Sequence, residues 1–392
     1  MVYIIILTYI LVCVWFIDFR GIHRFRKLFW WILCVAFITL SGLRYKIGTD
    51  TLMYMIGWDV YPTLWEGNLW KNLQRMYLFY PEMSRYGIGW ILFAVSVKSI
   101  FNNFNFLLIC VAILFNISIF KTIKQYSTYP FLTILLFFYN FKFLEFEFEI
   151  LRESLAVSVF LFFAFNAYVK KRWVKFYFFC ILTILFHYSA LFMLALPLVR
   201  NLRLSFWGYS LRLFIPSLIL GLFGRFIVGD IINIYLGGSG YMGEYINRAF
   251  DKDYNFNYIL QYAFQPCILF ILLKVGWKHL ENRMFTSIIF FSLVFMNFSL
   301  IYFTAVRLIS YIIIIDCIAI TPLFIDIIKK WRIVSLGIVM IMLSIFNLPM
   351  IITFLTNPMT SARYFPYQSI LFPSQTKKQI QAEHERYFPT YD

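Results

Sequence analysis

Arg44, Lys46 and Asp50 lie within Ser41-Gly-Leu-Arg-Tyr-Lys-Ile-Gly-Thr-Asp-Thr51, at the mouth of the apolar run Leu28 to Leu40. Two cations and a carboxylate grouped around Gly48 form a polar patch that can hold an anion. Arginine grips planar oxyanions through a fork of N–H donors, and glycine lets the backbone approach closely. The same spacing suits a plainer arrangement, an interfacial anchor with Asp50 capping a helix over Thr51 to Trp58.

Arg152 is the second candidate, opening an apolar span as Glu149-Ile-Leu-Arg-Glu-Ser-Leu-Ala156. An arginine this close to hydrocarbon needs a reason, either pairing with Glu149 or binding a ligand. Glu145, Glu147 and Glu149 alternate with Phe, and a solvated edge is the expectation for the first two. His187 is one of four histidines; at a helix turn it is either a hydrogen-bonded structural residue or a general base. Arg307 heads another long apolar run and resembles Arg152 in kind, so two arginines can enter one cavity. Asp316, inside Ile312-Ile-Ile-Ile-Asp-Cys-Ile318, is either a proton relay or the partner of an inner arginine.

Arginines with one histidine and a few carboxylates suit a doubly charged phosphate ligand, most simply a lipid-linked pyrophosphate. They can stabilise the charge on a departing pyrophosphate without a metal ion, while a nearby base takes a proton from an acceptor hydroxyl. No P-loop, DxD or HExxH motif stands in a supporting context, so no cofactor or metal site is expected.

The elements that must position these residues are membrane helices. Hydrophobic residues make up 61% of the 392 and charged residues 14%, with mean hydropathy +0.75. That balance excludes a soluble domain and implies an all-α, polytopic integral membrane protein. The apolar runs are continuous, without the alternation that barrel strands require. The 35 Lys and Arg exceed the 19 Asp and Glu, but they cluster in short joints between runs. Anionic lipid and positive-inside orientation account for them, and nucleic acid is not an expected partner. All six cysteines fall in expected spans, far from CxxC spacing, so neither disulfides nor metal ligation is expected. The first run, Tyr3 to Ile17, lacks a basic n-region and a cleavage site and reads as a retained helix.

About thirteen apolar runs can be counted, several too short to cross alone. Basic joints at 20–27, 170–175, 200–212, 274–283 and 329–332, placed in the cytoplasm, put both termini outside. The runs 175–186 and 188–199 then turn at His187 on the outer face. An even number of crossings leaves about twelve helices and one re-entrant or interfacial segment between Tyr86 and Lys121. Arg44, Lys46, Asp50, Glu82, Arg85, Glu149, Arg152, His187, Arg307 and Arg363 all map to the outer side. The chain reads as a single multi-spanning domain, 1–392, with outer loops near 43–86 and 229–257. Trp58, Trp65 and Trp70 in the first loop imply an interfacial helix, and Gly237-Gly-Ser-Gly240 in the second a mobile flap. The tail, 356–392, reads as an irregular outer segment.

Several of these motifs, taken in order, resemble a known family. The Ser41–Thr51 stretch followed by Tyr54, then Arg152-Glu-Ser-Leu-Ala, Lys171-Arg-Trp-Val-Lys-Phe176 and His187-Tyr-Ser-Ala-Leu191 are similar to successive signatures of the EpsG family of bacterial membrane proteins. These in turn resemble Wzy-type polysaccharide polymerases. Arg44, Gly48, Asp50, Arg152 and His187 match the family pattern. Glu153 stands where many members carry Gln, and the region of Glu82 and Arg307 matches loosely.

The resemblance implies a GT-C-like membrane glycosyltransferase of O-antigen, capsule or exopolysaccharide, working at the outer face of the bacterial inner membrane. It would move a growing glycan from undecaprenyl pyrophosphate to the non-reducing end of a lipid-linked repeat unit, with a chain-length regulator as a further partner. Residues and resemblance together place the pyrophosphate on Arg152, Arg307 and Arg44. Arg44 and Asp50 organise the rim, His187 or Asp50 handles the acceptor proton, and Gly48 and Glu149 give support. A flippase or transporter of lipid-linked sugars would need polar residues through both leaflets, whereas here they concentrate outside, Asp316 excepted. A glycan ligase shares nearly all the chemistry and remains an alternative.

Overall fold

In lipid every backbone N–H and C=O must be paired within its own segment, so runs as apolar as these fold as helices. The computed structural model describes residues 1–80, 83, 86–200, 202, 204–224, 256–280, 282–301, 303–324 and 335–381. It is 80% helix, with no strand among the described residues, which establishes the all-α class. Contacts divide the chain into two compact units, Met1–Leu194 with Ile352–Asp392, and Ala195–Ile351.

The first unit begins with α1 (Val2–Phe19), α2 (Arg26–Gly42), α3 (Thr49–Ile56) and α4 (Leu69–Phe79). It continues through α5 (Ile88–Ile100), α6 (Phe104–Tyr126), α7 (Pro130–Tyr139), α8 (Phe141–Phe148), α9 (Leu151–Val169) and α10 (Trp173–Phe186). Helix α6 is central, packing on α2 and α9. Phenylalanine fills the interior: Phe37 meets Phe120 at 5.4 Å and Phe143 at 5.2 Å, both edge to face. A second core gathers Tyr54, Trp58, Trp90, Leu107, Leu151 and Leu155, and so joins α3, α5, α6 and α9.

Details of the 43–86 loop differ from the sequence expectation. The amphipathic helix is α4, capped by Asn68, whose side chain accepts from the Lys71 N–H at 3.1 Å. Trp65 is 78% exposed and Trp70 is exposed as well, but Trp58 is buried in the second core. The tail to residue 381 is also less irregular than its prolines imply. It starts with the short helix Pro358–Ala362 and then runs along the 43–48 segment. Tyr45 N–H donates to Gln368 O and Ile370 N–H to Leu43 O, each at 2.9 Å, and Gly48 N–H donates to Arg363 O at 3.1 Å.

The second unit contains α11 (Phe206–Gly224), α12 (Phe256–Val275), α13 (Arg283–Phe298), a 3₁₀ segment Phe303–Tyr311, α14 (Ile313–Ile320) and α15 (Ser335–Phe346). Helix α13 packs against α12 and α14. Among the described residues four helices, α1, α6, α9 and α11, are long and apolar enough to cross a membrane, or five if the pair Leu336–Phe346 and Leu348–Thr356, bent by 67°, is one span. Seven further apolar helices among the described residues are shorter. Helix α5 has 13 residues, roughly 20 Å at 1.5 Å per residue, against a hydrocarbon core of about 30 Å. It lies in the stretch where the sequence expects a segment that does not cross. Glu82, Arg85, the 329–332 joint and the glycine-rich part of the 229–257 loop lie outside the described residues.

Candidate active site

The 43–50 loop turns sharply between α2 and α3. Lys46 has φ 49° and Gly48 φ 84°, both in the left-handed region. At Gly48 a side chain is excluded twice over. The backbone angle disfavours it, and a Cβ would lie 1.9 Å from the Phe148 carbonyl oxygen. The glycine thus lets the loop press against the end of α8, beside Glu149. Asp50 sits in the first turn of α3, with Gly48 rather than Asp50 at the cap position. There the helix dipole favours its negative charge.

Arg44 does not face outward. It is 1% exposed, donating to the Ser41 carbonyl and, through Nη2, to Thr51 Oγ1 at 3.1 Å. Thr51 in turn donates to the Phe148 carbonyl at 2.5 Å. Glu147, expected at a solvated edge, is instead 2% exposed, because α8 is a helix and turns that side chain towards α6. Asn116 Nδ2 of α6 donates to its Oε2 at 3.1 Å. Burial pushes the Glu147 carboxyl up to about 7, opposed by Asn116, Ser41 and the Arg44 charge. Burial lowers Arg44 to about 10, opposed chiefly by Glu147, so the guanidinium keeps its proton at neutral pH.

Arg152 opens α9 and is half-buried. Its Nε donates to the Tyr54 hydroxyl at 2.9 Å. Its Cζ stands 4.2 Å from the centre of the Tyr86 ring and 5.8 Å from that of Tyr54. Tyr54 lies one helical turn beyond Asp50, whose charge it senses. Burial and the nearby Glu149 carboxylate, two residues before α9, hold the Tyr364 hydroxyl well above its ordinary range. The tail therefore reaches the same neighbourhood.

His187 ends α10 in an extended conformation, as the expected turn requires. Its Nδ1 lies 2.5 Å from Ser189 Oγ and accepts a longer hydrogen bond from the Ser189 N–H at 3.4 Å. With Nδ1 donating to Ser189 Oγ, Nε2 is the basic nitrogen; with Nδ1 accepting, Nε2 carries the proton. The start of α5 presses on this turn, since a Cβ at Gly87 would meet the Leu185 carbonyl oxygen at 2.2 Å. Gly87 follows Tyr86, so the turn bearing His187 and the ring stacked on Arg152 are joined through adjacent residues.

Arg44, Gly48, Asp50, Glu149, Arg152 and His187 therefore all belong to the first unit. Arg307 belongs to the second, half-buried in the Phe303–Tyr311 segment. Asp316, also in the second unit, accepts from Ser292 Oγ at 2.5 Å. Sequence reasoning missed Glu147, Asn116 and the part played by Tyr54 and Tyr86. Only Asn116 had a local signal, a carboxamide within a long apolar helix.

Compared with known proteins, the chain matches the model of the EpsG family over residues 27–369. No curated protein and no solved structure matches it.

Proposed function

The chain belongs to the EpsG family, a family of Wzy-like polymerases, and from that premise we propose that it extends a glycan carried on undecaprenyl pyrophosphate. The growing chain would pass to the non-reducing end of a lipid-linked repeat unit at the outer face of the bacterial inner membrane. The reading is carried by Arg152, a cation at the mouth of a membrane helix, with Tyr54 and Tyr86 among its partners and Asp50 one helical turn from Tyr54. About twelve crossings in a GT-C-like arrangement belong to the proposal; among the described residues four helices are long and apolar enough to cross, or five if the bent pair is one span.

In the proposed step the acceptor hydroxyl oxygen bonds to the anomeric carbon of the donor glycan as the bond from that carbon to the pyrophosphate oxygen breaks. The electron pair leaves with the pyrophosphate, and Arg152 stabilises the growing negative charge. The acceptor proton passes to Asp50 or to His187. Gly48 and Glu149 shape the rim. Arg44 organises it from beneath, since its Nη1 and Nη2 already donate to Ser41 and Thr51. Arg307 is proposed from the sequence alone as a further pyrophosphate-binding residue.

Purified protein given a lipid pyrophosphate-linked repeat unit is expected to yield a ladder of longer lipid-linked glycans, without nucleotide sugar or added metal ion. Product of unchanged length overturns the proposal. Transfer of one glycan to a lipid or protein acceptor, with no ladder, replaces it with a ligase.

A further inference from the structure

Granting Arg152 its proposed pyrophosphate role, we infer that Tyr54 is a positioning residue that fixes the guanidinium plane for the ligand. A free arginine side chain has many rotamers, and ordering it at the moment of binding costs affinity. Tyr54 removes much of that freedom beforehand. It takes the hydrogen of Nε, at the base of the guanidinium fork, 2.9 Å away. Tyr86 covers one face at 4.2 Å. One hydrogen bond in the plane and one ring against it together define the orientation.

Tyr54 is itself held. It is 4% exposed, with its ring 5.0 Å from that of Trp90 and 5.8 Å from that of Tyr86. The Trp90 indole N–H donates to the Tyr61 hydroxyl at 3.0 Å. Lys98 Nζ donates to the carbonyls of Trp58, Asp59 and Tyr61 at 3.0, 3.1 and 2.7 Å, and so ties the turn after α3 to α5. Rigid groups thus run from the core to the guanidinium, the kind of support that precise ligand geometry needs.

The choice of residue also matters. The Tyr54 hydroxyl brings no charge. Burial keeps it up at about 12, so it holds its proton at neutral pH and offers a lone pair to Nε. For packing alone, phenylalanine would serve as well, and this separates the two roles.

The test is binding of undecaprenyl pyrophosphate to the full chain in nanodiscs, for wild type, Tyr54→Phe, Arg152→Ala and the double variant. Tyr54→Phe is expected to weaken binding by about tenfold to a hundredfold, the range for a hydrogen bond to a charged group. Adding it to Arg152→Ala is expected to change affinity no further. Binding by Tyr54→Phe equal to wild type overturns the inference, as does an equal loss in both backgrounds. The paired comparison cancels any general loosening of α3, so a lower melting midpoint leaves the test intact. A wild-type protein that does not bind undecaprenyl pyrophosphate overturns the polymerase reading itself, and the inference with it.

Discussion

Arg44 follows α2 and Arg152 opens α9, each where an apolar helix meets a loop, yet their surroundings are opposite in kind. Arg44 is fully enclosed, spends donors on Ser41 and Thr51, and shares its enclosure with the Glu147 carboxylate. Arg152 is half-buried and held by a hydroxyl and two aromatic rings. An arginine beside a buried carboxylate is already matched in charge and serves the fold. Arg152, in a less enclosed setting with two tyrosines among its partners, is the one proposed to meet a ligand. The residue type is the same, and the partners decide the role.

The strongest way to break this comparison is at Arg152. Arg152→Ala is expected to reduce ladder formation by about a hundredfold to a thousandfold, the range for removing one group that stabilises transition-state charge. The melting midpoint in detergent should stay near that of wild type. Undiminished polymerisation would show that the chemistry lies elsewhere.

Arg44→Met should reverse the pattern, with the main effect on stability. Removing one member of a buried charged pair costs about 3 kcal/mol or more, because the remaining group loses its compensation. Here Glu147 can take up a proton, which holds the cost near the lower end. Thermal unfolding checks this, and adding Glu147→Gln should recover part of the loss. A variant with unchanged melting and lost activity would instead make Arg44 a ligand contact.

What could be read in advance follows from where each signal sits. The apolar runs, the turn at His187 and the glycine at position 48 announce themselves locally, through periodicity, length and backbone freedom. Glu147 misled because Phe and Glu alternate around it, a pattern that reads as a rim until α8 proves helical and turns that carboxylate inward. Tyr54 meets Arg152 across 98 positions, and nothing near either residue specifies the partner. The tail is held to the 43–48 loop by backbone atoms, which leave no trace in side-chain type. Position along the helices was legible; partnership between distant elements was not.

The smallest expected effect is the one that separates the charge of Glu147 from its shape. Burial raises this carboxyl from the ordinary value of 4.5 to about 7, so between those values the folded protein holds a proton that the unfolded chain has released. Stability linked to this group therefore falls as pH rises from 4.5 to 7, the opposite of a carboxylate in a strong ion pair. Glu147→Gln keeps the size and the hydrogen-bonding length but cannot ionise. Its melting midpoint should match that of wild type near pH 5 and exceed it modestly near pH 8, with this part of the pH dependence removed. If wild type instead gains stability across that interval and the variant does not, the attraction of Arg44 outweighs burial. Glu147 would then be a working counter-ion, and the contrast between an enclosed, charge-matched arginine and the half-buried Arg152 would be sharper still.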